Sequence, residues 1–278
     1  MSFDIKNIVC LYIYDLKDII NLYNLNKNHQ DNIRIINLCN IKKNIQKLNQ
    51  EIIEQNKYKN VEKLNAFDNK KIKNVNHMKK TLKKLICSGD TCGIDQDGIS
   101  ELNLIKLDAC DNKKIKNVNH MKNTLKILNC SWDCGIDQNG ISELNLVELH
   151  SDYNKKIKTV NHIKNTLKIL NCSGRCCGID QNGISELNLI KLYAEDNKKI
   201  KNVNHMKNTL KILNCSYGCG IDQNGISELN LIDLFATENE KIQNVNHMKN
   251  TQVARVNEVE GQKPRLLKKL YCNGYLVE

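Results

Sequence analysis

The feature that most constrains this chain is an internal repeat. The string NHMK or NHIK places its His at 77, 120, 162, 205 and 247, at intervals of 43, 42, 43 and 42 residues. The string GIDQ(N/D)GISELN begins at 93, 135, 178 and 220, with the same spacing. One short unit cannot bury its own apolar face, so a chain that repeats at this length must stack each unit on the next.

Each block divides in two. Openings of the form LxxL start at Val61, Leu82, Leu104, Leu125, Leu146, Leu167, Leu189, Leu210 and Leu231, nine units that lie 21 or 22 residues apart. The A type reads LIKLDACDNKKIKNVNHMKN from Leu104, with apolar or small residues at Leu104, Leu107, Ala109, Ile115, Val118 and Met121. The B type reads TLKILNCSWDCGIDQNGISELN from Thr124, with Leu125, Leu128, Cys130, Ile136, Ile141 and Leu144. The opening alternates about its second Leu, as a one-faced strand requires. The later apolar positions come every three or so residues, which suits a tight helical or irregular return.

This pattern resembles the leucine-rich repeat, whose signature is LxxLxLxx(N/C). The B type is similar to the cysteine-containing class of that family, with Ile136, Gly140, Ile141 and Leu144 at matching offsets. In the A type, Asn69, Asn112, Asn154, Asn197 and Asn239 take the place of the family's asparagine ladder. The resemblance implies an α/β leucine-rich-repeat solenoid: a curved parallel sheet with short helical turns or irregular returns on the convex side, and a small helical N-terminal cap. Residues 61–250 form the repeats, and residues 251–278 form a degenerate C-terminal unit or cap. There, LLKKLYCNGY resembles TLKKLICSGD at 81–90 and reads as one more strand.

Residues 1–45 lack the repeat but carry helical apolar spacing, and residues 46–60 read as a linker helix. The run from Asp15 and Leu16 through Ile20, Asn21 and Leu22 to Leu25, Asn26 and Lys27 resembles the middle of an F-box. The family's Leu-Pro start and its Trp are absent. F-box proteins with leucine-rich repeats, of the kind encoded by AT-rich genomes such as those of giant amoeba viruses, dock this segment on the adaptor of a cullin-type ubiquitin ligase. The resemblance implies docking through Leu11, Leu16, Ile19, Leu22 and Leu25. A helical cap that hides the edge of the first repeat is the alternative.

Aromatic residues are 5% of the chain, so the core must be aliphatic. The start has no basic region before its apolar stretch, and no stretch approaches the length of a transmembrane helix. A cytoplasmic protein is expected, in the host cytoplasm if the gene is viral, with the 13 Cys reduced. The pairs Cys130/Cys134, Cys172/Cys176 and Cys215/Cys219, with Cys87/Cys92 wider, have zinc-like spacing. Successive pairs would lie two strands apart, roughly 10 Å, too far to share an ion. Core packing is therefore expected, with no metal and no cofactor. The His column reads as a surface or edge feature, and the glycines of GIDQNG fall where a unit must turn. No nucleophile–base arrangement stands out, so no enzyme activity is expected.

The formal net charge of +11 is concentrated in recurring lysines, such as Lys113, Lys114 and Lys116. Such a ridge can follow phosphates. Asp137 and Glu143, with their equivalents Asp180, Glu186, Asp222 and Glu228, are expected to neutralise part of it. Few aromatics are interleaved, so nucleic acid is a weak candidate partner. The concave strand face is the better candidate, and its partner would be a protein. Its A-type strands vary at Lys106, Glu148, Lys191 and Asp233 and at Asp108, His150, Tyr193 and Phe235. Trp132 and Tyr217, beside B-type strands, add large contact groups of the kind that dominate interfaces.

Overall fold

A computed structural model describes residues 47–248 without a break, residues 35–39, five residues between 15 and 21, and strand segments at 252–254, 270–272 and 275–277. The chain forms two compact units, Met1–Leu144 and Asn145–Glu278. No helix among the described residues is long and apolar enough to cross a membrane.

In the first unit, helix α1 (Gln50–Ile53) is followed by β1 (Lys63–Asn65), β2 (Lys84–Ile86), β3 (Lys106–Asp108) and β4 (Ile127–Asn129). These strands pair in parallel in sequence order, with Lys63, Lys84, Lys106 and Ile127 in register. In the second unit, β5 (Glu148–His150), β6 (Ile169–Asn171), β7 (Lys191–Tyr193), β8 (Ile212–Asn214), β9 (Asp233–Phe235) and β10 (Gln252–Ala254) do the same. The segment expected to add a strand at 266–275 supplies β11 (Leu270–Cys272). It pairs antiparallel with β12 (Tyr275–Val277) instead of joining the parallel stack. The two residues between them are Asn273-Gly274, the pair most favoured in two-residue hairpins.

The strands are three residues long because only their middle Leu needs to face inward. That Leu is fully buried in every case, from Leu64 to Leu234. Each return between β1 and β9 is a single 3₁₀ turn, such as Asn119–Met121 in an A unit and Asn182–Ile184 in a B unit. The apolar residue that ends each turn, Met121 or Ile184 here, closes the core from the other side. Each fully buried Leu contributes about 1.5–3 kcal/mol. Stacking makes the core continuous through each unit.

The asparagine column caps the loops. Asn112 Nδ2 donates to the carbonyls of Cys87 (2.8 Å) and Ile94 (3.0 Å), while its Oδ1 accepts from Lys114 N (3.0 Å). Asn197 and Asn239 repeat this set in the second unit. All five column members are buried.

The repeat contacts also begin upstream of Val61. Ile36 O accepts from the backbone N of Glu62 and Lys63, as Glu62 O does from Lys83 and Lys84. Leu48 O accepts from the Asn69 side chain. Gln50 bridges Lys73 and Asn74 with the same three hydrogen bonds that Gln96 makes to Lys116 and Asn117. Residues 35–39 and 47–58 thus perform the contacts of a B unit without its sequence signature, and α1 stands where B units have their 3₁₀ turn.

Candidate functional site

The two residues flanking each central Leu project to the opposite face of the strand and are half-buried on it in β2–β9. In the first unit one row reads Lys63, Lys84, Lys106, Ile127 and the next Asn65, Ile86, Asp108, Asn129. In the second unit the rows read Glu148, Ile169, Lys191, Ile212, Asp233 and His150, Asn171, Tyr193, Asn214, Phe235. Parallel pairing therefore brings Lys106 and Asp108 onto one face in the first unit. In the second it gathers Glu148, His150, Lys191, Tyr193, Asp233 and Phe235. Variable residues alternate there with the invariant Ile and Asn of B strands. Glu148 Oε1 lies 2.6 Å from His150 Nε2. Burial pushes the Tyr193 phenol up, with smaller contributions from Glu148 and Asp233.

Trp132 and Tyr217 sit just beyond this face, 53% and 42% exposed. Both have positive φ, 61° and 56°. Every unit from 61 onward holds one such residue four positions after its central Leu: Asp68, Gly89, Asp111, Trp132, Tyr153, Gly174, Asp196, Tyr217 and Glu238. The turn needs this conformation because the residue's N–H continues the ladder; Asp111 N donates to Ser131 O and Tyr217 N to Thr237 O. Glycine fits without cost, whereas a side chain there costs about 1–2 kcal/mol. The large side chains at Trp132, Tyr153 and Tyr217 are held out at a strained position, a feature that clusters at functional sites.

A parallel strand ladder, short 3₁₀ returns between its strands and a buried asparagine column define one architecture. This is a leucine-rich-repeat solenoid. No family model matches the chain, and no curated protein matches it. Among solved structures, three chains match. One belongs to "Crystal structure of TLR13-ssRNA13 complex", with a TM-score of 0.45 and 15% identity. That match covers 81% of this chain and 37% of the other, so this solenoid spans well under half the length of the chain it matches.

The other repeated residues serve the solenoid itself. The described Cys of the strands and turns are free thiols, and no cluster of metal-binding residues occurs among the described residues. The expected pair Cys172/Cys176 is corrected to Cys172/Cys177: Cys177 is buried beside Cys172, while Cys176 is exposed. The reason is the longer loop in units that turn on Gly89 or Gly174, which pushes one extra residue outward. Burial raises the Cys177 thiol to about 11. In the His column, Nε2 of His120 and His205 each donates to an Ile carbonyl of the preceding unit at 3.1 Å.

The glycines of GIDQNG serve close approach instead of a positive φ. A Cβ on Gly140 would lie 2.1 Å from Lys116 O, and one on Gly135 2.4 Å from Ile115 O. The lysine ridge is also reorganised. Lys114, Lys199 and Lys241 reach back to the carbonyls of Cys92, Cys177 and Cys219. Asp137, Asp180 and Asp222 accept from the backbone N of Gly140, Gly183 and Gly225. Glu143 and Glu228 pair with Lys122 and Lys207. The carboxylates expected to neutralise the ridge are thus occupied elsewhere.

Leu11, Leu16, Ile19, Leu22 and Leu25 lie outside the described residues. Sequence reasoning overlooked Lys63 and Lys84, which extend the Lys106 row, and a cavity beside Trp132 in the first unit. The cavity is about 530 Å³ and is lined by Phe67, Asp68, Asp90, Asp108, Asp111 and Trp132, among others. The signal that points to it is the alternation of 43 and 42 in the repeat interval, which distinguishes the Gly-turned B units from the aromatic-turned ones.

Proposed function

We propose that the chain binds a protein partner through the strand face of its repeats. One observation carries this reading: differences between otherwise near-identical units collect on that face in the A units and on the turn just beyond it in the B units. In the second unit they place His150, Tyr193 and Phe235 in one row, with Glu148, Lys191 and Asp233 in the next. Large aromatic groups flanked by charges are what a protein interface uses for anchoring and orientation. The reading assigns no catalysis to the chain. The lysine trios favour nucleic acid less, because the middle members Lys114 and Lys199 are engaged with backbone carbonyls.

A narrower form of the proposal makes the chain the substrate-recognition subunit of a cullin-type ubiquitin ligase in the cytoplasm. It rests on the sequence from Asp15 to Lys27 alone. The broader reading is tested by a photo-crosslinking residue placed at Tyr193 or, on the return edge, at Lys116, in extract of the source cell. The expected result is a discrete crosslinked protein at Tyr193 and none at Lys116. Crosslinks at Lys116 alone, or none at Tyr193, would sink it.

A further inference from the structure

His77 and His162 are 85 residues apart, and so are Gly89 and Gly174, and Trp132 and Tyr217. The array is therefore built from a longer period of two A–B pairs, and each residue of the first unit's cavity has a counterpart 85 positions later. Asp111 corresponds to Asp196, and Asp90 corresponds to Arg175. In the second unit Arg175 Nε donates to Asp196 Oδ2 at 2.7 Å. There, the protein supplies its own guanidinium to the carboxylate.

The first unit keeps the carboxylate and lacks the guanidinium. Position 90 is itself an acid, and Asp68 and Asp108 line the same cavity. Among the described residues none of these four carboxylates takes part in an ion pair. Thr91 donates to Asp68 and the Cys110 backbone N to Asp108, neither of which brings charge. Lys113, near Asp111 and Asp90, is held by Asp133 at 3.1 Å. Two aromatic rings complete the wall, Phe67 at 52% exposure and Trp132 at 53%. An acidic cavity in a chain of net charge +11 is a local reversal of sign. A planar cation with several donors matches carboxylates and an indole face together, because it hydrogen-bonds in its plane and stacks above it.

We propose that this cavity seats an arginine side chain of a protein partner, its guanidinium taking beside Asp111 the place that Arg175 takes beside Asp196. The proposal rests on the protein-binding reading and names the chemistry of one contact within it. Trp132 is the only Trp of the chain, so its emission reports on the cavity directly.

The experiment titrates the full chain, at fixed ionic strength, with the capped peptide Gly-Arg-Gly and with versions carrying citrulline or lysine at the centre. The expected result is a saturable change in Trp132 emission with the arginine peptide, weaker by about tenfold with citrulline, the equivalent of one charge-assisted hydrogen bond. The isosteric double variant Asp108→Asn, Asp111→Asn weakens it by a similar factor. Asp90→Arg, at an exposed position, supplies the second unit's guanidinium in cis and abolishes it. Thermal melts of each variant show that the fold persists. No saturable change with arginine, equal binding of citrulline or lysine, or an unchanged titration in Asp90→Arg would overturn the proposal. Crosslinking at Tyr193 uses the second unit, so a silent titration with crosslinking intact removes the cavity and leaves the strand-face reading standing. The converse removes the strand-face reading.

Discussion

Asn197 shows how much of this fold rests on single polar side chains. It is buried, and its amide satisfies Cys172 O, Ile179 O and Lys199 N at once. A buried backbone group left without a partner costs about 1–3 kcal/mol. Asn197→Ala strands three such groups, and part of that cost is recovered by local relaxation and water. The expected loss is about 3 kcal/mol, read as a lower urea midpoint with an unchanged slope; a loss below about 1 kcal/mol would show that the column is dispensable. Asn197 was readable in the sequence because it recurs at a fixed offset from an apolar strand. Lys199, two residues on, is the counterpart of Lys114 in the charged ridge, yet its Nζ caps Cys177 O. Recurrence is visible in a sequence, but which recurring polar groups turn inward depends on loop geometry.

At the scale of the element, the B return is governed by how closely neighbouring backbones approach. Gly140 packs against Lys116 O, with no room for a Cβ. Gly140→Ala is expected to cost about 3 kcal/mol, at the upper end of overpacking penalties, since the opposing atom is backbone and cannot rotate away. Asn139→Ala, one residue earlier and exposed, is expected to change stability by no more than about 0.5 kcal/mol. Comparable losses in the two variants, by thermal or urea melts, would refute the close-approach argument. Strand positions and 3₁₀ returns were legible because apolar spacing changes from two to about three between them. Residues 35–39 and 47–58 were not. Ile52 stands there where the later B units carry Gly98, Gly140, Gly183 or Gly225, so the signature is lost, while Leu48, Gln50 and Ile53 keep the contacts.

Across the whole molecule, a sequence shows best what varies against a fixed frame. Asp108, Tyr193 and Phe235 stand out because their neighbours repeat. The acidic cavity escaped because Asp90 and Asp111 matter only beside their counterparts Arg175 and Asp196, 85 residues away. The same periodicity builds a property that belongs to no single unit, a set of buried neutral thiols. Burial pushes Cys177 and Cys219 up to about 11 and raises Cys87, Cys172 and Cys215 as well. In the unfolded chain these thiols ionise near pH ~8.5. Above that value the unfolded state binds fewer protons than the native state, so stability falls as pH rises. Each thiol contributes up to about 1.4 kcal/mol per pH unit until its folded pKa is reached. Tyr58, pushed up to about 12 by burial, adds the same sign above pH ~10. The urea midpoint is therefore expected to be nearly flat from about pH 7 to pH 8 and to drop steeply above about pH 9. Replacing Cys177 and Cys219 together by Ala lowers the midpoint at neutral pH by opening small cavities. It should nonetheless make the alkaline decline shallower. A decline that keeps its full slope in the double variant would show that groups other than these thiols set the alkaline limit.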